Sequence, residues 1–220
     1  MRKGGRETSP AGGHGKSGSP QGSSLCLRAT HVTGRRNLAL EASLSPDDGD
    51  IVTLTWLELV DIVELLLCQP RPTGLRTAVF STSPEASSAA TAALDETNLL
   101  PAEVTQHTEM RTRLLVPAAT HTGWLVTVPA TSDIAQMALA LATLAANPGV
   151  DALVSVADAA TSEGRRQVAD MLDRLSADYP DTTLVSAVPL TPGPPDARNR
   201  VPTLPGVDRA MRAVANARAA

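Results

Sequence analysis

The chain has 220 residues, 42% of them hydrophobic and 19% charged, and a formal net charge of −4. That length suits one core of ordinary size, and with Trp56, Trp124, Phe80 and Tyr179 as its aromatic residues it lacks the platforms on which nucleic-acid bases stack. Two cysteines, Cys26 and Cys68, and four histidines, His14, His31, His107 and His121, show neither disulfide-framework nor metal-ligand spacing, so no metal site is expected.

Residues 1–37 are low in complexity, with Gly-Gly and Ser-Pro steps that bury too little apolar surface to offset ordering entropy. A disordered basic tail is expected there. It holds Arg2, Lys3, Arg6, Lys16, Arg28, Arg35 and Arg36 against Glu7, which makes it +6 and the remainder −10. An acidic or polyanionic partner would meet this tail first, which gives the expectation of weak nonspecific nucleic-acid contact. The charges are spread over a long stretch, however, and a solubilising role accounts for them as well. Residues 1–21 hold no apolar stretch of the signal-peptide kind, and a cytoplasmic location is expected.

Residues 38–44 read as a short strand, closed by the turn-rich Ser45-Pro46-Asp47-Asp48-Gly49-Asp50. Residues 51–69 read as a mostly buried helix, because Thr55, Glu58, Asp61 and Glu64 fall three apart along one narrow face and Cys68 ends the apolar run as a buried thiol. The same acids argue against a membrane span. A strand over 75–80 follows, then Ser83 as cap and Pro84 as first residue of a helix reaching Glu96. Residues 97–123 carry the weakest pattern, with a short strand expected at 113–116. Residues 124–128 form an apolar strand, and Ser132 is expected to cap a helix over 133–146 that Asn147-Pro148-Gly149 ends.

A further strand spans 150–156, and Ser162 is expected to cap a helix to Asp178 with Val168, Met171, Leu172 and Leu175 inward and Arg166, Asp170 and Arg174 paired opposite. Residues 184–188 close the set. Strands apolar on both faces, alternating with long helices, predict a doubly wound, mainly parallel sheet with helices on both faces: an α/β fold, Rossmann-like and P-loop-NTPase-like. Residues 189–205 read as a Pro-rich connector, and 207–218 as an amphipathic helix with Met211 and Val214 inward. The expected organisation is a tail over 1–37, an α/β domain over 38–190, and connector plus helix over 191–220.

Several residues are candidates for chemistry. Ala11-Gly12-Gly13-His14-Gly15-Lys16-Ser17 resembles a deviant phosphate-binding loop, which makes Gly12, Gly13, Gly15, Lys16 and Ser17 the candidate nucleotide ligands. Such a loop must leave a buried strand and open a helix so that backbone N–H groups converge on the phosphates. Its flanks here are Glu7-Thr8-Ser9-Pro10 and Gly18-Ser19-Pro20, so ATP and Mg²⁺ are expected only if this loop works. Ser81 and Ser83 end a strand, where doubly wound folds place chemistry, and with His107 or His121 they would make a small serine hydrolase or transferase. No Gly-x-Ser-x-Gly elbow is present, and capping explains Ser83 without catalysis. Asp133 and Asp158 also follow strands, where turn and helix-start chemistry accounts for them.

Residues 74–87, Gly-Leu-Arg-Thr-Ala-Val-Phe-Ser-Thr-Ser-Pro-Glu-Ala-Ser, resemble the second strand of ParA/MinD-type partition ATPases, which reads Gly-Leu-Arg, an apolar strand, then Asp-x-Asp-Pro-Gln. Trp124-Leu125-Val126-Thr127-Val128-Pro129 is similar to the strand after that family's switch region, and 150–158 and 184–189 match the order of its C-terminal half. The departures are chemical. Asp47, Asp48 and Asp50 stand where the phosphate loop and its lysine belong, and Ser81 and Ser83 match the family's two aspartates. The resemblance therefore implies a degenerate member that keeps the fold, does not hydrolyse nucleotide, and acts on a protein partner in partitioning or cellular positioning, with a homodimer as one form.

Overall fold

The structure is a computed structural model that describes residues 25–29, 40–44, 55–120, 123–157, 161–188 and 200–219. Two strands, β1 (Leu25–Ala29) and β2 (Leu40–Leu44), pair antiparallel with each other. The main sheet holds β3 (Arg76–Ser81), β4 (Leu100–Pro101), β5 (Leu125–Thr127), β6 (Ala152–Val156), β7 (Thr183–Val188) and β8 (Thr203–Pro205) in the order β4-β3-β6-β7-β8, with β5 also on β3. Every pair in it is parallel.

Two short strands share one edge of β3. β4 pairs with Arg76 and Thr77, and β5 takes over at Val79, Phe80 and Ser81. With β4 and β5 counted as one position, the order is the 2-1-3-4-5 arrangement of doubly wound sheets. The chain leaves β3 toward that edge and crosses back to β6, so the topological switch point lies between β3 and β6.

Among the described residues, six helices cover the sheet. α1 (Trp56–Cys68), α2 (Pro84–Glu96) and α6 (Val207–Ala219) form one layer, where Ile62, Leu65, Ala90, Met211 and Val214 pack on Val79, Val154 and Val185. α3 (Gln106–Leu115), α4 (Ile134–Ala145) and α5 (Ser162–Asp178) form the other, where Leu141, Leu144, Met171 and Leu172 pack on Phe80, Val126, Leu153 and Leu184. Successive strand residues serve opposite layers, which explains why β3, β6 and β7 carry buried apolar residues on both faces. Each fully buried large side chain contributes roughly 1.5–3 kcal/mol, so the dozen largest in these two layers dominate the fold. Among the described residues, no helix is long and apolar enough to cross a membrane.

The structure corrects several expectations. The strand expected at 113–116 is the end of α3, whose Thr108 and Thr112 face inward while Met110 and Leu114 stand 56% and 76% exposed. The helix period is hidden because its apolar side chains point to solvent. Caps fall one residue away from two predictions: Asp133 rather than Ser132 accepts the first N–H groups of α4, and Thr161 rather than Ser162 caps α5. Arg166 pairs with Glu163 rather than Asp170. β8 lies within the expected connector, and with α6 it joins the same sheet and core.

The largest correction concerns α1. Asp61, placed by its spacing on one narrow polar face, is buried and held by Arg209 of α6 at 2.8 and 2.6 Å. Trp56, Leu57, Val60 and Leu67 are exposed instead, and so is Cys68. Glu64, near that pair, has its carboxyl pushed up by burial first and by the charge of Asp61 second.

Candidate functional site

In an open parallel sheet the carboxyl ends of the strands at the switch point are the default place for a ligand, because the loops there diverge and leave a crevice. Here that place is formed by Ser81-Thr82-Ser83 at the end of β3, Val156 and Ala157 at the end of β6, and the first turn of α2. Thr127 ends the adjacent β5.

The polar groups of this edge are engaged with one another. The Ser81 hydroxyl, fully buried, donates to the Ser83 carbonyl at 2.8 Å and accepts the Ser83 N–H at 3.0 Å. Thr82 donates both its N–H and its hydroxyl to the carbonyl of Val156. Ser87 donates to the Ser83 carbonyl at 3.0 Å and lies 2.7 Å from the Thr127 hydroxyl.

The N-terminus of α2 is closed in the same way. Pro84 has no N–H, the Ala86 N–H donates to the Ser83 hydroxyl, and that hydroxyl donates to Glu85 Oε2 at 2.6 Å. The Glu85 carboxylate also accepts its own backbone N–H, and these two bonds, the one from Ser83 first, hold its carboxyl below the usual range. A helix N-terminus attracts an anion through unpaired N–H groups and the helix dipole. In this chain the anion is Glu85. At the described α2 N-terminus a phosphate would therefore meet the Glu85 carboxylate and N–H groups that already have acceptors.

The opposite, amino edge carries the charged anchor. Asp151, just before β6, accepts the backbone N–H and two guanidinium N–H groups of Arg76 at 2.9, 3.0 and 2.8 Å, and the Thr73 hydroxyl at 3.3 Å. The hydrogen bond from Arg76 is the main cause holding the Asp151 carboxyl below its ordinary range. A Cβ on Gly74 would stand 2.2 Å from Asp151 Oδ2, so the Gly-Leu-Arg of this chain is explained by the seat of that carboxylate.

On the α3–α4–α5 side of the same edge is a groove of about 300 Å³, lined in part by Thr105, His107, Arg111, Thr143, Asn147 and Tyr179. Its inner polar atoms are satisfied: Asn147 donates to Thr108 and accepts the Gly149 N–H. His107 stands here, at the end of the sheet away from Ser81 and Ser83, and the structure does not bring these three together. His121, Asp158, the acidic segment at 45–50 and the candidate nucleotide ligands Gly12, Gly13, Gly15, Lys16 and Ser17 lie outside the described residues. Among the described residues, no three His, Cys, Asp or Glu side chains are grouped to hold a metal.

Composition and spacing did not reveal Glu85, Asp151 or Asp61. Glu85 had a legible signal, an acid at the first turn of a helix opened by Ser83-Pro84. Asp151 and Asp61 had none, since their partners are far away in the chain.

No protein-family model matches the sequence, and no curated protein is significantly similar to it. Solved structures are similar in fold. PH0766 from Pyrococcus horikoshii OT3 superposes with a TM-score of 0.67 at 17% identity, over 77% of this chain and 40% of that one. The dinucleotide-forming acetyl-coenzyme A synthetase 1 of Ca. Korarchaeum cryptofilum gives 0.65 at 16% identity in its apo form, over 76% and 38%. In complex with phosphate and ADP it gives 0.63 at 15% identity over the same shares. The chain thus spans about two-fifths of the length of these neighbours, and what it shares with them is the α/β fold.

Proposed function

We propose that this chain is a non-hydrolysing α/β protein that works by holding a protein partner. One observation carries the reading: the switch-point helix, where a nucleotide phosphate would sit, is closed by Glu85 and Ser83 of the chain itself. The apolar side chains Met110 and Leu114 on α3 and Leu139 on α4 are exposed in the α3–α4–α5 layer, and they suit contact with a second protein. In the longer neighbours the greater part of the polypeptide lies outside the shared fold. A separate chain is the occupant we assign to the α3–α4 surface. The resemblance at residues 74–87 to partition ATPases supports a finer role in plasmid or chromosome partitioning or cellular positioning.

Calorimetric titration of the full chain with Mg-ATP tests the central point. The expected outcome is no saturable heat and no phosphate release. Hydrolysis that is lost in Lys16→Ala would overturn the reading and make the tail loop a nucleotide site.

A second reading follows from the neighbour that holds phosphate and ADP: a module linked to acyl-CoA chemistry, sharing that synthetase's fold over 76% of its own length. Titration with ADP plus phosphate, and separately with coenzyme A, distinguishes it. Saturable binding of either favours this second reading over the first.

A further inference from the structure

The groove of about 300 Å³ at the amino edge gathers three side chains that make no hydrogen bond or ion pair among the described residues. Arg111 and His107 stand four apart on α3, so they share one face of that helix, and both are exposed where they line the groove. Tyr179, half-buried at the C-terminal end of α5, also lines it, and its hydroxyl is unengaged. By contrast Arg76, Arg166, Arg209 and Arg212 each meet an aspartate or a glutamate.

The deeper polar groups of the groove are already spent. Asn147 donates to the Thr108 hydroxyl at 2.9 Å, and the Thr143 hydroxyl donates to the Leu139 carbonyl at 2.7 Å. The remaining surface is apolar. It comes from α4, which has no charged residue between Ile134 and Ala145 and lines the groove with Leu139, Ala142 and Ala146. Ala142 and Ala146 are one turn apart, and their short side chains leave the space open. No carboxylate lines the groove.

We infer that this groove is a binding site for a small organic carboxylate, with its charge on Arg111, further donors from His107 and Tyr179, and its apolar body over Ala142 and Ala146. A guanidinium, an imidazole N–H and a phenol are donors suited to carboxylate oxygens, and the charged one makes the strongest bond. The volume is at the small end of the range of about 300–1,000 Å³ for ligand sites, which suits one ring or a short chain. Inorganic phosphate matches the donors without the floor, and an uncharged body matches the floor without the donors; the inference requires both. The carboxylate can be that of a free small molecule or of a polypeptide C-terminus. The inference goes beyond the proposed function, whose carrying observation is at the other edge of the sheet. Of the side chains assigned there to a partner, Leu139 alone also lines the groove.

Tyr179 makes the inference measurable, because it is the only tyrosine of the chain. In full-length protein with ring-labelled tyrosine, benzoate and hexanoate are each expected to shift its one set of ring resonances saturably, with a Kd on the order of 1 mM. Benzyl alcohol and inorganic phosphate should not. Arg111→Gln is expected to weaken benzoate binding about tenfold, with Arg111→Lys recovering part of the loss. Arg113→Gln, on the same helix but outside the groove lining, leaves it unchanged.

N-acetyl-leucine and its amide separate the two sources. Tighter binding of N-acetyl-leucine than of benzoate, with none of the amide, assigns the site to a polypeptide C-terminus; the reverse order assigns it to a free carboxylate. Arg111 is exposed, so its variants should keep the wild-type melting temperature, and His107→Gln gives an independent loss of affinity. Three outcomes would overturn the inference: no saturable shift with any carboxylate, benzyl alcohol binding as well as benzoate, or phosphate binding as well as benzoate, which would mark an adventitious ion only.

Discussion

Asp151 ties the starts of β3 and β6 together through Arg76 and seats against Gly74. Gly74→Ala places a Cβ against that carboxylate and is expected to destabilise by about 1–3 kcal/mol in denaturant titration. Asp151→Asn keeps the shape and removes the charge, with an expected loss of about 1–3 kcal/mol at pH 7. The pH dependence has a definite sign. The folded-state pKa of Asp151 is depressed, chiefly by its hydrogen bond from Arg76, so its stabilisation is present above the unfolded value near 3.9 and is lost as pH falls through the lower folded value. The gap between wild type and Asp151→Asn should therefore narrow below about pH 4 in unfolding curves taken across acid pH. Local residues such as Ser83 and Pro84 were legible from sequence because capping acts within one turn. Asp151 and Arg76 are 75 positions apart, and only the sheet register joins them.

At the scale of elements, α1 shows how a polar period misleads. Glu58, Asp61 and Glu64 read as one narrow polar face of a mostly buried helix, and α6 brings Arg209 and Arg212 to them, with Arg209 gripping Asp61 and Arg212 lying 3.9 Å from Glu58. Arg209→Ala leaves Asp61 buried without its partner and is expected to cost about 3–5 kcal/mol, whereas replacing both by apolar residues of similar volume is expected to be neutral or stabilising. Thermal melts of the single and double variants check this, and equal losses in both would contradict it. α3 errs in the other direction, with small hydroxyl residues inward and Met110 and Leu114 outward, so its hydrophobic pattern does not mark the buried face. By contrast α2, α4 and α5 were legible to within a residue, because their caps and stop signals are local.

On the scale of the whole molecule, one sheet with helices on both sides should unfold as one unit. Phe80, fully buried near the end of β3, belongs to the core under the α3–α4–α5 layer. Phe80→Ala is expected to lower stability by about 3–5 kcal/mol, with circular dichroism and Trp124 fluorescence of a Trp56→Phe background giving one coincident transition. Separate transitions would show that the two layers are not one cooperative core.

The α/β class, the parallel strands and most helix starts were determined by the sequence alone, because strands buried on both faces must carry apolar residues on both and helix ends must satisfy their own N–H groups within a turn. Tertiary structure alone decided the split edge of β3, the pairing of Asp61 with Arg209, and the seat of Asp151 against Arg76 and Gly74. Each of these depends on which distant groups the packed layers bring within hydrogen-bond reach, and no local pattern of residues encodes that distance.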